Sequence, residues 1–410
     1  MSILSSQEYK QAVALLHRTK NSAAVGDPHY EALWVRDWAM WARAVLLLAD
    51  PELNRSVRDT LRYIAKHMTK TGHVPNTIWK GEGADFAEMG SLDAQCWFII
   101  VAWEYLTHID DPDFAAEIWP KAKAAHFWLL CQDHAEFGLV GSLKSAYWMD
   151  STWSGEGFVL HNNALYYRAT VCVKEFSERM GDPVDADPVG LRQDLQKMFW
   201  PDPKNPFKSH HPVGPAAFIK AANLRRKWIL FGKRKEREFF VSHIDYGKWV
   251  DYCDVLANLL AINFGLAEPW QAERILDYLK GKRVDQPYPS RTFPFTWAKF
   301  FDVWGMRNRW ANRLQNPRWR NSPDTYHEGA VWFMIGAEHI KANLLVGRIG
   351  DAFAQRMALS RGNRERDFSE WEPIWLRPLH RFRRHGQRDQ AWSAAGQVAA
   401  DIALEEALTT

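Results

Sequence analysis

Cysteine is scarce. Four occur among 410 residues (Cys96, Cys131, Cys172 and Cys253), scattered, with no Cys-x-x-Cys and no His/Cys metal-ligand spacing. That argues against a zinc ribbon or a redox motif and for small apolar side chains buried in a reduced protein. No run of eighteen apolar residues is present, so no transmembrane helix is expected. The opening MSILSSQEYKQAVALLHRTK lacks a charged head followed by an apolar run. It reads as an amphipathic helix rather than a secretory signal, and a cytoplasmic protein is expected. Charge of one sign is also missing. A net +3 gives no general footing for nucleic acid or a membrane surface. No Pro/Ser/Gly-rich linker separates two compositional halves. The length alone would suggest two or three domains, but one large helical domain spanning 1–410 is the expectation.

Tryptophan, by contrast, is abundant: 22 residues, more than an ordinary core needs. Several stand in short polar motifs rather than apolar runs, namely Trp34, Trp38, Trp148, Trp153, Trp332 and Trp371. A cavity walled by indoles accounts for such placement. Helix packing accounts for the remainder.

The dominant period is helical. Segments 33–49, 91–107, 162–178, 251–265, 326–346 and 387–408 carry apolar groups nearly all round, as buried helices do. Ser91 is placed to cap the second and Gly265 to stop the fourth. Between them lie amphipathic segments, 52–68, 113–134, 187–199, 268–280, 305–315 and 349–361. Inner and outer helices alternating about six times suit an all-α (α/α)6 barrel. The polar motifs fall at the starts of the buried helices, which a ring gathers at one mouth. Helix starts also offer free N–H groups and partial positive charge. One stretch, at about 200–249, breaks the pattern. It is proline-rich, then basic (Arg225, Arg226, Lys227, Lys233, Arg234, Lys235, Arg237), and WILFGKRKEREFFV predicts a small β-hairpin around Gly232.

Two acidic sites stand among tryptophans: Asp150 in YWMDS, and Glu370 and Glu372 in FSEWEPIW. Apolar neighbours suit Asp150 to hold a proton as a general acid. A base in the second cluster must stay ionised and hold a water. The residues alone leave Glu370 and Glu372 both open. Arg36-Asp37 in WVRDW suits a clamp on ring hydroxyls. Tyr326-His327-Glu328-Gly329 offers donors beside a glycine that lets backbone approach, and His161-Asn162-Asn163 adds hydrogen-bonding groups. A metal is not expected, since no His-x3-His pair is present.

LWVRDW, GSLDAQCWFI, YWMDS followed by NNALYYRA, DVLANLLAINFGLA, YHEGAVW, and FSEWEP followed by QAWSAAG occur in this order. Together they resemble the six-hairpin glycosidases. The likeness is nearest to the amylo-α-1,6-glucosidase domain of glycogen debranching enzymes and to neutral/alkaline invertases. The resemblance implies Asp150 as acid, Glu370 as base, and single-step inversion with no cofactor. It implies sugar contacts from Arg36, Asp37, Asp93, Tyr326, His327 and Trp332. Trp34, Trp148, His161, Asn163, Glu372, Gln390 and Trp392 complete the expected substrate-binding set. The chain departs from the pattern twice. His161 stands where a Glu is usual, and Tyr252-Cys253-Asp254-Val255 replaces an Arg-Pro-Asn-Gln run. With no accessory starch-binding or transferase domain, a short soluble saccharide is the expected partner: sucrose or another small α-glucoside or fructoside. A homo-oligomer stays open. Two rival readings are an epimerase using His161 and His327 as acid and base, and a non-catalytic carbohydrate-binding protein.

Overall fold

In the computed structural model of the chain the described residues are 2–20, 31–81, 83–85, 91–134, 136–143, 146–150, 155–201, 236–245, 248–250, 252–294, 326–327, 329–373 and 386–409. They form twelve α-helices: α1 (Gln7–Arg18), α2 (Val35–Leu46), α3 (Pro51–His67), α4 (Leu92–His108), α5 (Pro112–Leu130), α6 (Leu160–Met180), α7 (Pro188–Phe199), α8 (Val255–Asn263), α9 (Pro269–Gly281), α10 (Phe333–Leu345), α11 (Ile349–Arg366) and α12 (Ala391–Thr409). Helix α2 packs on α4, α4 on α6, α6 on α8, α8 on α10, α10 on α12, and α12 back on α2. The even-numbered helices therefore close a ring. The odd-numbered helices pack outside it, α1 against α12 and α11 against α10.

The two layers start differently, for reasons written in the sequence. Outer helices α3, α5, α7 and α9 each begin with an acid followed by proline: Asp50-Pro51, Asp111-Pro112, Asp187-Pro188 and Glu268-Pro269. Proline needs no N–H partner at the first helical position, and the preceding side chain caps the turn. Asp50 accepts from Leu53 N at 3.0 Å, Asp111 from Phe114 N at 3.0 Å and Asp187 from Gly190 N at 2.9 Å. Inner helices α2, α4, α6 and α10 start with no side-chain cap. Three of them issue from two-residue strands, β1 (Leu33–Trp34), β4 (Phe158–Val159) and β7 (Val331–Trp332). β1 pairs antiparallel with β2 (Thr77–Trp79), which pairs with β3 (Gly83–Asp85). β4 pairs with β5 (His243–Asp245), and β5 with β6 (Lys248–Val250). β7 pairs with β8 (Trp371–Glu372), setting Trp332 opposite Trp371.

The core lies between the layers. Along α4, Trp97, Phe98, Ile99 and Ile100 are all fully buried, and each such side chain contributes about 1.5–3 kcal/mol on leaving water. Trp41 of α2 donates to the Leu16 carbonyl of α1 at 2.9 Å, and Arg356 of α11 makes a two-point buried pair with Asp401 of α12. These bonds tie α1 to α2 and α11 to α12, and Arg356 Nη2 also donates to Ser6 Oγ, the cap of α1, at 3.0 Å.

The helical expectations need four corrections. The sixth outer member is α1, the amphipathic opening segment, while 305–315 lies outside the described residues. Segment 326–346 is helical only from Phe333, because Val331–Trp332 pairs as strand first. Of the expected hairpin, 228–235 lies outside the described residues. Residues 236–241 form no strand, since Phe239, Phe240 and Val241 are buried in succession rather than alternately. The paired strands fall just beyond, at β5 and β6. Arg237, part of the basic stretch, is buried and donates to the Pro201 carbonyl at 3.3 Å. The other six basic residues lie outside the described residues. Cys96, Cys172 and Cys253 are buried thiols, and Cys131, at the end of α5, is exposed. Gly265 follows α8 with φ +76°, a conformation that favours glycine.

Candidate active site at the inner-helix starts

The first turn of α2 supplies Arg36 and Asp37, and the first turn of α4 supplies Asp93. Arg36 Nε and Nη2 donate to Asp93 Oδ2 and Oδ1 at 2.5 and 3.2 Å, Nη2 reaches Ser91 Oγ at 3.1 Å, and Nη1 reaches Asp150 Oδ2 at 3.4 Å. Ser91 precedes α4 as expected, but its hydroxyl donates to Asp93 Oδ1 at 2.7 Å instead of capping the helix. Burial would raise the Asp93 carboxyl. The guanidinium, with the Ser91 hydroxyl, outweighs burial and holds it below the usual range. Asp37 goes the other way. Burial pushes it up to about 7, with the nearby charges of Asp150 and Asp93 adding and Arg36 opposing. The Asp150 side chain is one-third exposed, so the mouth presents a solvent-reaching carboxyl backed by a fixed cation.

Next to this cluster lies an aromatic wall, whose His327 feels the Arg36 charge. Trp148, two residues before Asp150, meets Trp332 edge-on at 5.4 Å and His327 at 5.1 Å, and lies 6.4 Å from His161. Trp332 meets Trp392 at 5.5 Å, and Tyr326 meets Trp371 at 5.7 Å. Trp332 Nε1 donates to the Tyr326 carbonyl at 3.1 Å. Trp148 Nε1, Trp392 Nε1 and Gln390 Nε2 are buried with no partner among the described residues, the state of donors awaiting water or ligand. Gln390 Oε1 accepts from Ala391 N at 3.0 Å. Tyr326 itself has φ +46°, and Gly329, with φ +99°, donates its N–H to Thr292 Oγ1 at 2.9 Å. Strained backbone of this kind gathers at functional sites.

Glu370 immediately precedes β8, the strand paired with β7. Asp367 and Phe368 both take left-handed backbone, with φ +52° and +50°, and carry the chain from α11 into this loop. Glu370 is 8% exposed, and its N–H donates to the Gln387 carbonyl at 2.7 Å. Glu372 accepts from Ser369 Oγ at 2.8 Å and pairs with Arg366 at 3.7 Å. The Asp150 and Glu370 loops thus meet through the contacting side chains of Trp148 and Trp332 and the paired backbones of Trp332 and Trp371.

The Asn163 amide is engaged by backbone. Its Oδ1 accepts from Val140 N at 3.0 Å, and Nδ2 donates to the Val140 and Val159 carbonyls at 3.0 and 2.9 Å. The amide pins a loop to α6, and a motif has no means of showing that its hydrogen bonds are already taken. Asn162 does the same for Ser142 Oγ and the Ala146 carbonyl. His161 is fully buried, and burial lowers it to about 4. Burial, with Arg36 nearby, sets His327 well below its ordinary value. Trp34 is half-buried, edge-on to Trp79 at 6.5 Å. Trp153 and Glu328 lie outside the described residues. Asp254, noted in the sequence only as a departure, caps α8 at Ala257 N at 3.1 Å, and its carboxyl is pushed by burial up to about 7. An acid placed just before a buried helix, in line with the other motifs, was the signal for it.

Among the described residues no three His, Cys, Asp or Glu are grouped to hold a metal ion. A separate cavity of about 430 Å³ is lined by residues of α9, α10, α11 and the turn at 285–287, among them Lys280, His339, Gln355 and Arg361. None of the residues just described lines it.

A helical toroid whose inner-helix starts bring carboxylates, an arginine and indoles to one mouth defines the class of six-hairpin glycosidases. Within it, the amylo-alpha-1,6-glucosidase family model matches residues 4–398, and the chain belongs to that family of glycoside hydrolases. Similar solved structures include an uncharacterized conserved protein from Thermus thermophilus, 15% identical with a TM-score of 0.62, covering 96% of this chain and 99% of the other. The GH63 mannosylglycerate hydrolase from Thermus thermophilus, in complex with Tris and D-glycerate, is 13% identical with a TM-score of 0.64 and the same coverage. A rhamnosidase from Klebsiella oxytoca with rhamnose bound is 15% identical with a TM-score of 0.57, covering 96% of this chain and 63% of the other. At these identities the likeness is one of fold. No curated protein matches the chain.

Proposed function

We propose that the chain is an inverting glycosidase of small saccharides, with Asp150 as general acid and Glu370 as general base. The α-glucosides and fructosides, sucrose and α-linked gluco-oligosaccharides among them, are the substrate class we favour. The observation that carries the reading is the meeting of the two carboxylate loops across Trp148 and Trp332 beside the Arg36 cluster. Asp93 already takes two of the Arg36 nitrogens, so Arg36 reaches Asp150 through a single longer contact that helps orient it. Glu372 is tied to Ser369 and Arg366, and that favours Glu370 as the residue that holds the water. The acid delivers its proton to the glycosidic oxygen while the base activates water on the opposite ring face. Indole faces stack on the C–H side of the sugar, and their unpartnered N–H groups meet its hydroxyls. The epimerase alternative needs an imidazolium donor near neutral pH, and both His161 and His327 are neutral there.

The test is a panel of sucrose, α-linked gluco-oligosaccharides, a rhamnoside and mannosylglycerate, followed by anomer-resolved NMR. Release of a reducing sugar with inverted anomer is expected. Asp150→Asn and Glu370→Gln should each lower kcat by about a hundredfold or more. Near-full activity in either variant, or a retained anomer, would overturn the assignment.

A further inference from the structure

Asp254 precedes α8, the one inner helix whose start has not yet been placed, as Arg36 and Asp37 open α2, Asp93 opens α4, His161 opens α6, Trp332 precedes α10 and Trp392 opens α12. Its Oδ1 caps α8, while Oδ2 is buried with no hydrogen-bond partner among the described residues. The residue is 1% exposed. No cation among the described residues pairs with it. Capping alone does not account for a carboxylic acid here, because Asn or Ser caps as well without a second oxygen to bury. A strut ties the start of α8 to the His327 loop, and Tyr147 feels the charges of both Asp254 and Asp150. Val255 N donates to the Thr292 carbonyl at 3.1 Å, and Thr292 Oγ1 donates to the His327 carbonyl at 3.0 Å. His327 in turn lies against Trp332, 5.1 Å centre to centre. Tyr147, immediately before Trp148-Met149-Asp150, lies 6.1 Å from the His161 ring.

We infer that Asp254 is a specificity-determining residue of the saccharide site, its unshared carboxyl oxygen hydrogen-bonding one hydroxyl of the bound sugar. This rests on the reading of the mouth as a glycosidase site.

Two backgrounds separate this inference from the reading it rests on. Binding of the best saccharide of the panel is measured by calorimetry on Glu370→Gln alone and combined with Asp254→Asn or Asp254→Ser. Both replacements keep a helix cap. We expect affinity to fall about tenfold or more, and one monodeoxy analogue to bind equally with and without the Asp254 change. In the otherwise wild-type chain the same substitutions should raise KM more than they lower kcat. Unchanged affinity in both variants, with hydrolysis intact in the wild type, overturns the role of Asp254 and leaves the enzyme reading standing. If the wild type neither binds nor cleaves any saccharide of the panel, both readings fall.

Discussion

Replacing Asp254 by Asn tests the physics of this buried acid without any substrate. Burial pushes its carboxyl from 3.8 to about 7. The folded state therefore binds a proton more tightly than the unfolded chain. The resulting stabilisation is complete below about pH 4 and is lost as pH rises through 7. A displacement of roughly three pH units at 1.36 kcal/mol each amounts to about 4 kcal/mol. Asn stays neutral throughout, so the gap between variant and wild type should open by about 1.4 kcal/mol per pH unit across this window. For a chain of 410 residues, unfolding entropy of roughly 2.1 cal/mol/K per residue turns 4 kcal/mol into about 5 °C of Tm. Asp37, also near 7, titrates in both proteins and cancels from the difference if the two sites act independently. Melting curves in matched buffers from pH 4 to 8 supply the measurement. Parallel curves for the two proteins would refute the reasoning, and so would a wild type that gains stability relative to the variant as pH rises.

Asp93→Ala strips Arg36 of its two-point partner and leaves a buried cation, so a loss of about 3–5 kcal/mol and a fall in kcat from a misplaced Asp150 are expected from denaturant unfolding and kinetics. Asn163→Ala removes three buried hydrogen bonds, and should cost about 2–4 kcal/mol while KM stays within twofold. A rise in KM without a loss of stability would return Asn163 to the site. Gly336→Ala places a Cβ 2.4 Å from the Pro289 carbonyl oxygen, and thermal unfolding should show about 1–3 kcal/mol of destabilisation from forced repacking.

The alternation of inner and outer helices was legible because burial imposes its period directly on the chain. Apolar residues run all round α2 and α4, and along one face of α3. The acid-proline starts of the outer helices are equally local, and so are the carboxylate motifs before the buried helices. Whether a polar side chain is free to meet substrate was not legible. Asn163 and Asp93 both stand in early turns of inner helices, yet one is consumed by backbone groups of Val140 and Val159 and the other locks Arg36. Glu370 and Glu372 are two residues apart in one motif. Only the position of Arg366 and the turn at Ser369 set them apart. Phe239-Phe240-Val241 resembled an edge of hairpin because composition favours strand, but the ring needed all three inside.

By itself the amino-acid order determined the helical layers, the acid-proline starts of the outer helices and the family, since periodicity and local capping depend on neighbours a few residues away. Tertiary structure alone decided which acids pair, which donors stay open, and that Asp150 would meet an arginine 114 residues distant. Hydrogen-bond partners are assigned by position in space, and closing the ring is what brings those positions together.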